Sequence, residues 1–158
     1  MAMHIEKSGI DLAAIYRPLN NNFLNPIMEN VRKKYICKKQ IKKGISGTKD
    51  LLKYFRSGTS IALMIDQRVS EGINCKFFGQ EALTTTIPAQ FVKKFNCKIV
   101  PVYITRKKDN NFKLKIFKPL SFSNNHNIET ITLALNSVLE KMIMENPGQW
   151  IWTHNRWK

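Results

Sequence analysis

Acidic residues are scarce in this sequence of 158 residues. It contains 11 Asp and Glu against 26 Lys and Arg, which gives a formal net charge of +15 at pH 7. Such an excess favours an anionic partner: nucleic acid, anionic lipid headgroups or an acidic carrier protein. The basic residues come in short clusters, which solvated helix faces and turns would also explain. Charge therefore restricts the class of partner without choosing among the three.

Long apolar segments and a recognisable leader are also missing. No apolar run reaches the roughly 18 residues that a membrane-spanning helix needs. Residues 1–9 lack the apolar centre of a signal peptide. We therefore expect any membrane contact made by these residues to be peripheral. The three cysteines have neither zinc nor redox spacing, so we expect them to be the ordinary reduced thiols of a protein that faces the cytosol.

The common catalytic signatures are absent as well. The sequence has no GxSxG, P-loop or GxGxxG pattern and no cluster with metal-ligand spacing, so it implies no metal and no bound cofactor. A histidine acting as general base needs a second group to orient it. His4 is followed at the fifth position by Gly9, and His126 and His154 have no partner by spacing. Catalytic patterns alone would not identify an enzyme.

The order of apolar and polar segments predicts one α/β domain over residues 1–158. Length suits a single core, and strands alternating with helices indicate a layered, mixed or mostly parallel sheet flanked by helices. We predict strands at residues 10–16, 60–65 (central), 98–105 and 112–117. We predict helices at residues 26–39, 49–56, 87–96 and 128–146, and an irregular segment at residues 68–83.

Two predicted strands are followed by polar side chains. Arg17 follows the first strand, and Asp66 and Gln67 follow the apolar run SIALMI. Ligands of open α/β sheets usually bind beyond the carboxyl ends of the strands, so these groups would converge if the strands are neighbours. Arg17 could then bind a phosphate or carboxylate through its fork of donors. A structural ion pair at the sheet edge is the alternative.

Two further segments are candidate contacts for a ligand. The glycine-bounded loop at residues 72–79 could present Phe78 and Gly79 as an apolar lip for an acyl chain, with Lys76 meeting an anionic headgroup. A loop that buries its phenylalanines in the core is the alternative. Three consecutive hydroxyls precede a predicted helix and could hold an anion there, or serve only as a helix cap; they are Thr84, Thr85 and Thr86.

A set of motifs in a fixed order resembles the bacterial lipid A biosynthesis acyltransferases, the lauroyl and myristoyl transferase family. The motifs are YRPLNN at residues 16–21, LMIDQ at 63–67, FFG at 77–79, TTT at 84–86, IVPV at 99–102 and WIWTHNRW at 150–157. Their order and approximate spacing match over nearly the whole chain. The resemblance implies a fold like that of the glycerolipid acyltransferases.

The resemblance also implies a reaction and a set of partners. Members of this family move a fatty acyl group, usually from acyl carrier protein, to a hydroxyl of a phosphorylated, acylated glucosamine disaccharide. They work at the cytoplasmic face of the bacterial inner membrane. The implied partners are therefore acyl carrier protein, the phosphorylated glycolipid and the anionic membrane surface. The acyl carrier protein thioester is the donor, and no other cofactor is implied.

The family's catalytic pair is a His-x4-Asp/Glu motif, which residues 1–158 do not contain. The catalytic residues therefore stay unassigned, and we expect the chain to be inactive alone. It would then be a fragment, a truncated reading frame or a degenerate copy. The resemblance still assigns residues on the substrate side of the site: Arg17, Asp66, Gln67, Phe78, Gly79, Thr84, Thr85 and Thr86. Lys76 is a candidate from its place in the loop at residues 72–79.

Two other functions remain open from the sequence. One is a basic, non-catalytic module that binds nucleic acid or anionic lipid. Charge alone supports it, and no RNA- or DNA-binding motif is visible, so nucleic acid is not the expected partner. The other is a degenerate partner that binds acyl carrier protein or glycolipid without catalysis.

Overall fold

The computed structural model describes residues 1–157, apart from the side chains of residues 45 and 46. Contacts between residues group the chain into two compact units, residues 1–64 and residues 65–158. Each unit mixes helices with strands, so the predicted α/β class is confirmed. That residues 1–158 act as one acyltransferase domain stays a prediction.

The first unit is built on a small parallel sheet. Its elements in chain order are α1 (Ala2–Lys7), β1 (Leu12–Tyr16), α2 (Leu24–Tyr35), β2 (Lys39–Lys42), α3 (Ile45–Arg56) and β3 (Ser60–Ala62). Strand β1 lies between β2 and β3 and runs parallel to both. The buried apolar residues of this unit come from the sheet, α3 and the α2–β2 connection: Leu12, Ala13, Cys37, Ile41 and Leu51.

The predicted central strand at residues 60–65 is wrong. Only Ser60–Ala62 forms a strand, and it lies at the edge of the sheet beside β1. Burial explains the difference, because Leu12 and Ala13 of β1 are buried whereas Ile61 and Ala62 are only partly covered. An apolar run fits an edge strand and a central strand equally well.

The predicted helix at residues 26–39 ends earlier than expected. Helix α2 stops at Tyr35, and residues 39–42 form β2 instead. Cys37 marks the change of direction: its side chain is buried and donates from Sγ to the Leu12 carbonyl oxygen at 2.9 Å. From there the chain pairs in register with β1, Ala13 opposite Lys39.

Helix α3 begins at Ile45, four residues before the predicted start. Gly47, which precedes the predicted helix at residues 49–56, therefore lies inside the first turn of α3. A Cβ atom at this position would collide with the Lys42 carbonyl oxygen. The glycine is used for close approach of two backbone segments rather than for a turn.

The second unit pairs two hairpins with two helices. Its elements are β4 (Ile73–Phe77), β5 (Gln80–Thr84), α4 (Ile87–Phe95), β6 (Val102–Arg106), β7 (Phe112–Ile116), α5 (Ile128–Glu145) and a 3₁₀ turn (Pro147–Gln149). Strands β4 and β5 are antiparallel, as are β6 and β7. The predicted helices at residues 87–96 and 128–146 are confirmed, and so are the two predicted strands at residues 98–105 and 112–117, although the first of them begins only at Val102.

The irregular segment predicted at residues 68–83 is wrong over most of its length. It contains the β4–β5 hairpin, which turns at Phe78 and Gly79. Both turn residues have positive φ, 50° and 78°. This is the backbone of a two-residue hairpin turn that suits right-handed strand twist. Phenylalanine rarely adopts a positive φ, so the turn could not be recognised from the residue type at position 78.

The core of the second unit forms around α5. One cluster buries Ala89 and Val92 of α4 against Ile131 and Leu135 of α5. The other joins the β4–β5 hairpin, α5 and the C-terminal aromatic segment, and it consists of Phe77, Ala82 and Ile143 with partly buried Phe78, Leu139, Trp150 and Trp157. The tail tryptophans thus help to build the core of this unit.

Candidate functional site

Arg17 lies directly beyond the carboxyl end of the central strand of the first unit. Its side chain is exposed and forms no hydrogen bond or ion pair with residues 1–157. Its neighbour Tyr16 is fixed, because the Tyr16 carbonyl oxygen accepts a hydrogen bond from the Lys43 N–H at 2.8 Å. The result is a free guanidinium on a rigid strand end, the position expected for binding an anionic group.

A polar cluster between β1 and α2 holds this strand end in place. The Tyr16 hydroxyl donates to Glu29 Oε1 at 2.7 Å, and Asn25 Nδ2 donates to the same oxygen at 2.7 Å. The Arg32 guanidinium lies 4.9 Å from the centre of the Tyr16 ring. Asn25 Oδ1 also accepts from the Leu19 N–H at 2.9 Å, which fixes the loop after Arg17.

These contacts shift the pKa values of both partners. Burial and the Glu29 carboxylate raise the pKa of Tyr16 to about 12. The Tyr16 and Asn25 hydrogen bonds lower the pKa of Glu29 below its ordinary value of 4.5, because they favour the ionised carboxylate. Glu29 therefore accepts the hydrogen bonds of Tyr16 and Asn25 as an ionised carboxylate.

We expect Tyr16→Phe to raise the pKa of Glu29 towards 4.5, because it removes the hydrogen bond that contributes most to the shift. A depressed carboxyl pKa stabilises the fold above the unfolded-state pKa, and that contribution is lost as pH falls through the folded-state pKa. The variant should therefore be less stable than the parent at neutral pH, and the difference should shrink below pH 4.5. A carbon NMR titration of the Glu29 carboxyl group measures the shift directly.

Tyr35→Phe is the matched control, because Tyr35 is exposed on the same unit. It should leave the Glu29 titration unchanged. An unchanged Glu29 pKa in Tyr16→Phe would contradict the role assigned to this hydrogen bond.

In the second unit, a fully buried arginine organises the polar core. Arg156 Nη1 donates to the Ile65 carbonyl oxygen at 2.9 Å, and Nη2 donates to Thr84 Oγ1 and Asn136 Oδ1, both at 3.2 Å. Its guanidinium carbon lies 4.5 Å from the centre of the Phe77 ring. One side chain thus ties β5, α5 and the segment at Ile65 to the C-terminal tail.

Asp66 lies within the electrostatic range of this arginine. Burial lowers the pKa of the Arg156 guanidinium below its ordinary value, and the Asp66 carboxylate acts in the opposite direction. Asp66 Oδ1 is buried and has no hydrogen-bond partner among the described residues. Gln67, its neighbour, is exposed. Asp66 is therefore placed to balance the buried charge of Arg156.

The FFG segment and Lys76 belong to the β4–β5 hairpin. The Phe78 N–H donates to Glu140 Oε1 at 2.6 Å, which ties the turn to α5. Phe78 is half-buried against Phe77, whereas the Lys76 side chain and Gly79 are exposed. Phe77 is a core residue, as one of the sequence alternatives held, and Phe78 only partly so. The roles of Phe78, Gly79 and Lys76 in binding an acyl chain and a headgroup stay predictions.

The three threonines have different surroundings. Thr84 is buried, and its hydroxyl oxygen accepts from Arg156 and from Asn136 Nδ2. Thr85 is also buried. Thr86 is the N-cap residue of α4, and its hydroxyl accepts from Gln90 Nε2 at 2.8 Å. Thr84 thus contributes to the buried polar core, and the Thr86 side chain makes no capping hydrogen bond to the helix backbone. Anion binding at this helix start stays a prediction.

Among the described residues, no acidic side chain is hydrogen-bonded to any of the three histidines in the way that a general base needs. His4 and His154 are exposed, and His126 Nδ1 lies 2.7 Å from the Ser123 hydroxyl. Arg17 belongs to the first unit, and the other candidate residues belong to the second. Their predicted convergence therefore stays a prediction.

Comparison with known families bears on the whole chain. A family model described as bacterial lipid A biosynthesis acyltransferase matches residues 1–158, the entire chain. The chain belongs to this family. A search of curated proteins found no match to this chain.

Membership in the lipid A acyltransferase family bears on one of the function classes that the sequence left open. It implies acyl transfer in lipid A biosynthesis and does not favour the nucleic-acid module. Across residues 1–157, no helix is both long and apolar enough to cross a membrane. The same residues contain no cluster of His, Cys, Asp or Glu side chains able to hold a metal ion.

Proposed function

We propose that this protein takes part in transferring a fatty acyl group from acyl carrier protein to a hydroxyl of a lipid A precursor or a related glycolipid. The family match over residues 1–158 carries the proposal. In this reaction the hydroxyl oxygen forms an ester bond with the acyl carbon, and the carbon–sulfur bond of the thioester breaks. The hydroxyl proton passes to a general base and then to the thiolate that leaves.

The charges of the chain suit both proposed partners. Acyl carrier protein is acidic and the acceptor carries phosphates, whereas this chain has a formal charge of +15. Arg17 supports the assignment most specifically, because its guanidinium is free of partners within residues 1–157 and projects from a rigid strand end. We assign it to a phosphate or carbonyl oxygen of the substrate.

The remaining substrate-side residues are assigned by the same motifs. Asp66 would act with Arg156 to shape the site, and Phe78 and Gly79 would contact the acyl chain. We further infer the layered fold of the glycerolipid acyltransferases and a location at the cytoplasmic face of the inner membrane. The family's role in membrane lipid synthesis supports both inferences.

We infer that residues 1–158 do not transfer acyl groups by themselves. The family's general base belongs to a His-x4-Asp/Glu motif, and residues 1–158 do not contain one: the fifth positions after His4 and His126 are Gly9 and Ile131. The proposed contribution of this chain is to bind and position the substrates.

The test compares two proteins: the 158-residue chain, and a joined protein in which a segment bearing the family's His-x4-Asp/Glu motif precedes Met1. We expect acyl transfer from labelled acyl carrier protein to a lipid A precursor only with the joined protein. A joined protein with the histidine replaced by alanine is the control and should be inactive.

Transfer by the chain alone would contradict the inferred lack of a base. Binding of acyl carrier protein or glycolipid by a joined protein that never transfers would favour the degenerate, non-catalytic partner instead.

A further inference from the structure

Helix α2 presents its apolar side to solvent. Large apolar side chains are exposed along its length and at its start: Phe23 (89%), Leu24 (51%), Ile27 (60%), Val31 (39%) and Tyr35 (57%). Those within the helix are spaced three or four positions apart and therefore share one face. No residue of α2 is buried. The stripe runs along all 12 residues of the helix, about 18 Å.

A neighbouring, polar side of the helix, which carries Asn25, Glu29 and Arg32, faces the body of the first unit. Glu29 accepts hydrogen bonds from Tyr16 and Asn25, and Arg32 lies over the Tyr16 ring. Amphipathic helices of globular proteins normally turn the apolar stripe inwards. In α2 the apolar stripe points outwards, and the hydrogen bonds of Glu29 hold the helix in this orientation.

The charges around the stripe are of one sign. Residues 23–38 contain a single acidic residue, Glu29, which is engaged on the inward side. Lys33, Lys34 and Lys38 are exposed. The Lys34 ammonium lies 5.2 Å from the centre of the Tyr35 ring, so a cation borders the apolar stripe. The first unit as a whole has 12 Lys and Arg against 4 Asp and Glu.

We propose that α2 lies in the surface of an anionic lipid membrane, with Leu24, Ile27, Val31 and Tyr35 inserted among the acyl chains and Lys33 and Lys34 at the headgroups. A helix with a wide aliphatic and aromatic face bordered by lysines binds the interface in this way. The proposal rests on the proposed function in one respect, because an acceptor glycolipid resides in a membrane. It names the surface that brings the protein to that acceptor.

The experiment measures partitioning of the purified 158-residue chain onto vesicles by sedimentation. Vesicles of phosphatidylethanolamine with phosphatidylglycerol are compared with vesicles of phosphatidylcholine. We expect Ile27→Glu with Val31→Glu to weaken binding to the anionic vesicles about tenfold or more, since it places two charges in the inserted face. Met144→Glu on α5 is the matched control, because Met144 is equally exposed at 61%, and it should change little.

Two further variants separate insertion from simple charge attraction. Lys33→Gln with Lys34→Gln should weaken binding to anionic vesicles and reduce its dependence on salt. A tryptophan placed at Ile27 should shift its emission to shorter wavelength and be quenched by brominated lipid, whereas one placed at Met144 should not. Circular dichroism confirms that each variant is folded, as expected for exposed positions.

Several results would overturn the proposal. One is equal vesicle binding by the parent and Ile27→Glu with Val31→Glu. Another is a parent dimer that this pair of substitutions dissociates, which would make a second copy the occupant of the stripe. A third is loss of acyl carrier protein binding by Ile27→Glu with Val31→Glu while vesicle binding stays intact, which would make the carrier protein the occupant of the stripe. Acyl transfer by the joined protein to a detergent-dispersed acceptor is measured separately, so failure of the reaction and failure of membrane docking are distinguishable.

Discussion

Arg17→Ala lowers acyl transfer by the joined protein about 100- to 1,000-fold and leaves the fold intact. Removing one well-placed donor that stabilises charge in a transition state typically has an effect of this size. Arg17 is exposed and has no side-chain partner within residues 1–157, so its loss breaks no contact of the first unit. The measurement is kcat/KM with labelled acyl carrier protein as donor.

The matched control for this result is Arg56→Ala. Arg56 is an exposed arginine at the end of α3 in the same unit, and its loss should leave the rate within about twofold of the parent, as expected away from a reacting centre. Arg17→Lys should recover only part of the activity, because lysine keeps the charge and loses the fork of donors. A near-normal rate in Arg17→Ala would remove Arg17 from the site.

Arg156→Ala destabilises the second unit by about 3–5 kcal/mol, the usual cost of removing one partner from a buried charged network. The substitution leaves the Ile65 carbonyl oxygen without its Arg156 donor, removes a donor to Thr84 and Asn136, and takes the cation from the Phe77 ring. It also leaves Asp66 without the positive charge that faces it. The three tryptophans lie in this unit, so their fluorescence follows its unfolding in urea.

Arg68→Ala serves as the control, because Arg68 is exposed and makes one long side-chain hydrogen bond, to Ser70 at 3.5 Å. A change within about 0.5 kcal/mol is expected there. Arg156→Lys should recover little, since a lysine cannot reach three acceptors in the same plane. An unfolding midpoint unchanged by Arg156→Ala would contradict the organising role of the buried network.

Local sequence signals predicted the elements that local forces determine. Helix α5 has a clear apolar stripe, and Asn127 caps it by accepting from the Thr130 N–H at 2.7 Å. The β6–β7 hairpin follows from the alternation in FKLKI and from the turn at Asp109 and Asn110, both with φ of 57°. Pattern, cap and turn chemistry agree at these places, so the prediction holds.

Predictions failed where tertiary contacts decided the outcome. Strand β2 is a short polar segment that the hydrophobic pattern could not separate from α2, and its pairing with β1 makes it a strand. The β4–β5 turn uses a phenylalanine at positive φ, held by the Glu140 carboxylate 62 residues away. No window of sequence contains such a contact.

In the candidate site too, residues with a local signal were predicted and residues defined by long-range contacts were missed. Arg17 was identified because it ends a strand, which is a local property. The organising role of Arg156 was missed, because its contacts with Ile65 and Thr84 span 91 and 72 residues. The available signal was the WIWTHNRW motif, in which an arginine sits among aromatic residues that form a core. The outward face of α2 was also missed, since periodicity gives one apolar face without saying where it points.

The most direct test of the central claim is the mass of a lipid A precursor after incubation of the joined protein with acyl carrier protein carrying one defined fatty acid. The account predicts an acceptor heavier by that acyl group in place of one hydroxyl hydrogen, with no such product from the chain alone. An acceptor of unchanged mass, with every acyl carrier and glycolipid pair tried, would contradict the assignment of this chain to acyl transfer.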